Sequence, residues 1–151
     1  MANLIKQSKE YIGVGQTFPI KSGVTITAGD AVGLDSNGQV VQADKTTGPV
    51  KAMGFAVFND NFNAAPRVGV AALTVYCSIS RVGVMSGQTG LTIGGQIYLS
   101  TAGGTSQTPA ATNGDIDQLL GFAISATDFE YIVISSAYKF QTAATSTVGH
   151  L

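Results

Sequence analysis

Charge is what this chain has least of. Lys, Arg, Asp and Glu together make up 11% of 151 residues, well under the ~25% of an ordinary soluble domain. Eight basic against nine acidic residues leave a net charge of -1, so there is no basic field to neutralise a phosphate backbone. Lys6 with Lys9 is the only close basic pair, and a nucleic-acid partner is not expected. A surface so weakly charged also has little electrostatic reason to stay apart from other proteins.

Other absences narrow the chemistry. The lone cysteine, Cys77, cannot form an internal disulfide, so folding rests on packing and synthesis in a reducing compartment is expected. The lone histidine, His150, is the penultimate residue, a poor place for a group that catalysis must hold in fixed geometry. No zinc ligand set exists, and no tryptophan is present to line a glycan-cleaving groove. No apolar run approaches the ~20 residues that span a bilayer, and the first ten residues lack the basic-then-apolar layout of a secretory signal. Gly13-Val14-Gly15 begins a dinucleotide fingerprint, but Phe18 stands where the third glycine belongs, and no phosphate-loop Gly-Lys-Ser/Thr occurs. No cofactor and no metal are implied.

What the chain does contain is a repeat. Ile26-Thr27-Ala28-Gly29-Asp30-Ala31-Val32-Gly33-Leu34 is echoed by Leu91-Thr92-Ile93-Gly94-Gly95-Gln96-Ile97-Tyr98-Leu99, and Met53-Gly54-Phe55-Ala56-Val57 by Leu120-Gly121-Phe122-Ala123-Ile124. The offsets are 65 residues (26 to 91) and 67 (53 to 120), which calls for a two-residue insertion, most simply near Gly103-Gly104. A duplicated strand-turn-strand unit signals architecture. Repeats are expected over about residues 23–58 and 88–125 of a β domain spanning 12–139, between an N-terminal arm, 1–11, and a C-terminal tail, 140–151.

Turn residues recur every eight to twelve positions, the spacing of short strands, and no window carries a clean helical period. The expected fold is all-β: a small barrel or sandwich of two pseudo-repeated units, with a jelly roll among the arrangements allowed. The clearest strand is Leu73 to Ser80, with Leu73, Val75, Cys77 and Ile79 facing a core. Other strands are expected at 31–34, 40–42, 52–58, 95–100, 119–125 and 131–135. Asp35-Ser36-Asn37-Gly38 is a hairpin turn, because Asx side chains bond nearby backbone and Gly38 accepts positive φ. Gly103 is expected in the matching turn. Gly54 and Gly121, inside apolar strands, mark a bulge or a close backbone approach.

Acidic pairs offer the remaining chemistry. Asp115 with Asp117, and Asp128 with Glu130, would each share one face of an extended segment, as glycoside hydrolysis requires. Their neighbours Asn113-Gly114 and Thr127 mark them instead as turn and strand-end acids. Asp35 with Asn37, and Asp115 with Asp117, lack the converging oxygens of a calcium loop. Cys77 reads as a small buried hydrophobe.

The run from Ile26 to Asp35, followed by Gly38-Gln39-Val40-Val41-Gln42-Ala43 and Ala52-Met53-Gly54-Phe55-Ala56-Val57, resembles the small decoration or cement proteins of tailed-bacteriophage heads. The second half repeats the pattern at Gly95–Tyr98 and Leu119–Ile124, so the resemblance covers roughly residues 23–135. It implies a non-enzymatic structural protein, made in the host cytoplasm, that binds and stabilises the outer surface of a capsid in the virion. The implied partners are the major capsid protein and further copies of the chain, as homodimer or homotrimer. On that reading the terminal segments supply contacts to the capsid or partner, Lys6, Lys9 and Tyr11 at one end and Phe140, Val148 and Leu151 at the other, since an extended arm can add a strand to a sheet edge. The alternatives are a head-fibre or tail-associated virion domain, and a glycan or cell-surface module on which Tyr11, Tyr76, Tyr98 or Tyr138 would cluster. An enzyme would need Asp115 or Glu130 in a pocket.

Overall fold

The turn at Asp35-Ser36-Asn37-Gly38 closes as its composition dictates. Asp35 Oδ1 accepts from the backbone N–H of Asn37 and of Gln39, both at 2.9 Å. Gly38 takes φ +75°, and its N–H donates to the Asp35 carbonyl. The flanking residues pair as a hairpin, Leu34 opposite Val40 and Val32 opposite Gln42. This hairpin belongs to a computed structural model that describes residues 14–46, 48–57, 72–73, 76–135 and 137–141.

Among the described residues there is no helix. The strands are β1 (Val14–Pro19), β2 (Ile26–Thr27), β3 (Ala31–Leu34), β4 (Val40–Gln42), β5 (Gly54–Val57), β6 (Ala72–Leu73) and β7 (Tyr76–Ser80), followed by β8 (Val82–Met85), β9 (Gln96–Leu99), β10 (Thr105–Ser106), β11 (Ile116–Ala123), β12 (Phe129–Ile132) and β13 (Tyr138–Phe140). One antiparallel sheet has the order β1-β7-β5-β3-β4 and a second the order β8-β12-β11-β9-β10, with β13 added to β11. A short pair, β2 with β6, stands apart.

The two orders are the same path through equivalent strands, and the registers correspond around the two Gly-Phe-Ala segments. Val32 faces Gly54 and Ala31 faces Phe55, while Ile97 faces Gly121 and Gln96 faces Phe122. These are the positions that the sequence echo aligns. The hairpins match as well, Leu34 opposite Val40 and Leu99 opposite Thr105, both at an offset of 65. The two extra residues therefore lie between β10 and Gly121, a stretch that includes the start of β11 and its bulge, not at Gly103-Gly104. Gly103, at φ +76°, occupies the position of Gly38. Because each unit keeps its strands within its own sheet, the fold is a β-sandwich-like stack of two repeats rather than a closed barrel or a jelly roll.

The sheets stack head to tail. The face of the first sheet that carries Ala31 and Phe55 packs on the face of the second that carries Ile97, Leu120, Phe129 and Tyr131. The Phe55 ring centroid lies 4.6 Å from that of Tyr131 and 5.8 Å from that of Phe129, within the favourable range for aromatic pairs. Backbone bonds reinforce the stack: the Ala31 N–H donates to the Gly103 carbonyl and the Gly103 N–H to the Ala43 carbonyl, each at 2.8 Å. On its opposite face the first sheet curls over a core of its own, formed by Ile26, Val32, Val40, Ala56, Cys77 and Ile79. A bridge between Ile20 and Val40 links the end of β1 to β4 across the curl.

Sandwiching the first sheet between two cores alters the expected pattern of its central strands. Cys77 and Ile79 face the inner core as the alternation requires, but Ser78 and Ser80 are buried as well. Ser80 is accommodated by a 2.7 Å hydroxyl bond to Tyr131. The strand expected at 131–135 runs instead from Phe129 to Ile132, because a tight turn lets Asp128 accept from Ile124 and Ser125 and starts the return early. The strand expected at 119–125 begins at Ile116, where β13 pairs with it.

Gly54 and Gly121 both mark close backbone approach. A Cβ at Gly54 would lie 2.5 Å from Ile79 Cγ2 and from the Ser80 carbonyl oxygen, and one at Gly121 would run into the Glu130 carbonyl. A bulge accompanies only Gly121: β11 gains a residue on β9 between Leu119 and Gly121. Among the described residues no helix is long and apolar enough to cross a membrane.

Candidate functional site

The acids do not assemble into a reaction centre. Asp115 is buried and 3.8 Å from Lys45 Nζ, whereas Asp117 lies 3.8 Å from Lys139 Nζ and accepts from Gln141. The two neighbours thus hold different cations at the end of a turn. Asp128 accepts from the Thr127 hydroxyl, and Glu130 is exposed on β12. Among the described residues no cluster of three or more His, Cys, Asp or Glu could hold a metal ion. Asp35 uses its side chain to close the β3–β4 turn.

The two strongly perturbed groups serve the core. Burial pushes the Cys77 thiol up to about 12, with the Asp30 carboxylate adding to the effect. Burial likewise raises the Tyr131 phenol to about 12, against an opposing contribution from its bond to Ser80. Gln118, fully buried, donates to the Ala52 carbonyl and accepts from the Ala52 N–H. It joins the end of the second sheet to the segment that leads into β5.

What the structure leaves open is a sheet face. The second sheet turns its inner face to Phe55, and its outer face shows Val82, Leu119, Phe122, Ile132 and Ile134, each between 42% and 57% exposed. Alternation along β11 and β12, interrupted by the bulge at Leu120-Gly121, produces this face: Leu120, Ala123, Phe129 and Tyr131 point inward, and Leu119, Phe122, Glu130 and Ile132 point out. Val82 is directly opposite Ile132, and Phe122 is directly opposite both Glu130 and Gln96. A groove of about 300 Å³ runs over the face, lined by Leu119, Phe122, Ile132, Ile134 and Ala137 together with the carboxylate-bearing Glu130. Soluble monomers seldom expose a contiguous apolar patch of this kind.

Of the residues expected to make contacts, Phe140 alone is among the described ones. Lys6, Lys9, Tyr11, Val148 and Leu151 lie outside the described residues. Phe140 is half exposed on β13, paired with Ile116, and its ring meets Tyr138 edge-on. It therefore projects away from the open face, since Ile116 points into the core. Tyr98 and Tyr138 border one shallow depression, but Tyr76 belongs to the first sheet, so these tyrosines do not form a single platform. Leu119, Phe122, Ile132 and Ile134 were not singled out by sequence. The signal for them was present in the alternation of β11 and β12, but identical alternation accompanies a face that a second layer covers.

No family model, curated protein or solved structure matches this chain.

Proposed function

We propose that this chain is a non-enzymatic structural protein of a phage virion, a decoration or cement protein that binds the outer surface of the capsid and stabilises it. The open apolar face of the second sheet carries the reading, because a protein that exposes five large aliphatic and aromatic side chains on one flat surface is built to work inside an assembly. The Gly-punctuated strand pattern that resembles phage head decoration proteins supports it, as does the low charge. The perturbed groups sit in the core, where they serve packing. In such a role the partners are the major capsid protein and other copies of the chain, and many modest contacts on a symmetric shell sum through multivalency.

The test is the copy number relative to the major capsid protein in purified particles, by quantitative mass spectrometry. A ratio near one per capsid subunit is the expected result. A few copies per particle would assign the chain to a head fibre or tail, and absence from particles would overturn the virion reading.

A further inference from the structure

The repeat itself shows what the open face is shaped to meet. Phe55 and Phe122 occupy equivalent positions, each opposite the first residue of its hairpin strand, Ala31 or Gln96. The Phe55 face is covered by a β-sheet, and Phe55 is fully buried. The Phe122 face carries a larger set of apolar side chains, yet among the described residues no third sheet lies on it. The inner face of a second molecule's second sheet cannot serve, because Phe55 already fills it. The Phe122 face of a second copy is available.

Charge on the face is arranged for that pairing. Along β11 the outward residues run Asp117, Leu119, Phe122, and the charged neighbours at the two ends have opposite signs. Lys139 lies opposite Asp117 at one end and Glu130 opposite Phe122 at the other. The Lys139 side chain is 72% exposed despite its 3.8 Å contact with Asp117, so it can reach a second acid. Consider a two-fold axis in the plane of the contact, crossing β11 near Leu119. It superposes the apolar middles and sets Glu130 of each copy over Lys139 of the other. An axis along β11 would instead set Glu130 of each copy over Gln96 of the other, leaving the acid without a cation, and one along β12 would oppose Glu130 to Glu130.

We propose that the Phe122 face is a self-association surface, on which a second copy of this chain stacks its own Phe122 face about a two-fold axis, with Glu130 and Lys139 pairing at the two rims. This rests on the reading that the protein works in an assembly and names the partner across one of its faces. Apolar area supplies the attraction, and the rim charges select the orientation.

The experiment is sedimentation velocity on the full chain over a wide concentration range, for wild type, Phe122→Glu, Glu130→Lys, Lys139→Glu and the double charge reversal. Wild type should be a dimer that Phe122→Glu converts to monomer. Each single reversal should weaken dimerisation roughly three- to tenfold, and the pair should restore it. The charge variants alter exposed side chains only, so they test the geometry even if Phe122→Glu fails to fold. A monomeric wild type, a Phe122→Glu variant that still dimerises, or a double reversal no better than the single ones would overturn the proposal. Loss of shell binding by a Phe122→Glu variant of a monomeric wild type would give the face to the capsid protein instead. Absence of the chain from particles would remove the virion reading and leave the dimer measurement unaffected.

Discussion

Gly121→Ala adds one methyl group where the second sheet has no room for it. The new Cβ would sit 2.9 Å from the Glu130 carbonyl carbon and from Tyr131 Cα, and nearer still to the Glu130 carbonyl oxygen. All three atoms are backbone of β12, so no rotamer change relieves the clash. To regain ordinary contact with the Glu130 carbonyl oxygen β12 must back away by ~1 Å or more, loosening the pairings of residues 121–123 with 129–131. Overpacking costs about 1–3 kcal/mol, and a rigid backbone neighbour puts this case at the top of that range. For a chain of this length ~3 kcal/mol lowers Tm by roughly 6–12 °C. Gly38→Ala is the control, since nothing lies within 4 Å of its Cβ and only the positive φ opposes it. Its cost should be about 1 kcal/mol. Both are read by thermal unfolding at one fixed protein concentration, because association shifts Tm. A Gly121→Ala protein melting within about a degree of wild type would refute the close-approach argument.

Phe55→Ala should cost about 3–5 kcal/mol by opening the interlayer core, while Phe122→Ala, at the equivalent position, should cost well under that at concentrations where the chain is monomeric; urea unfolding compares the two, and equal losses would contradict the assignment of an open face. Gln118→Leu leaves the Ala52 N–H and carbonyl buried without their partner, for about 2–4 kcal/mol in the same assay. Alkaline pH should destabilise the fold. In the unfolded chain the Cys77 thiol and Tyr131 phenol lose protons near 9.0 and 10.0, but in the folded chain both hold them to about 12. The unfolded state then binds fewer protons, so the contribution of these two groups is fully present below pH 9 and is lost as pH rises toward 12. A urea midpoint that does not move between pH 8 and pH 11 would contradict this (about three units spanning both ordinary values).

The strand-turn-strand units were legible in the sequence because their causes are local. Asp35, Asn37 and Gly38 close a hairpin with their own side chains and backbone, and Gly103 repeats the position. The echo at Gly54 and Gly121 marked two places where strands crowd, although only Gly121 carries a bulge. The site of the two-residue insertion was not legible, since nothing in Gly103-Gly104 records the register of β10. The open face forms in the middle of the chain, on β8, β11 and β12.

By itself, the sequence determined that the chain is all-β and that it is built twice from one strand-turn-strand unit. Tertiary structure alone decided how the two units stack and which face is left over. Gly54-Phe55-Ala56 and Gly121-Phe122-Ala123 are the same tripeptide in the same strand position, yet Phe55 is 0% exposed and Phe122 45% exposed. Local sequence sets which side of a strand a ring occupies, and burial depends on whether a distant sheet covers that side.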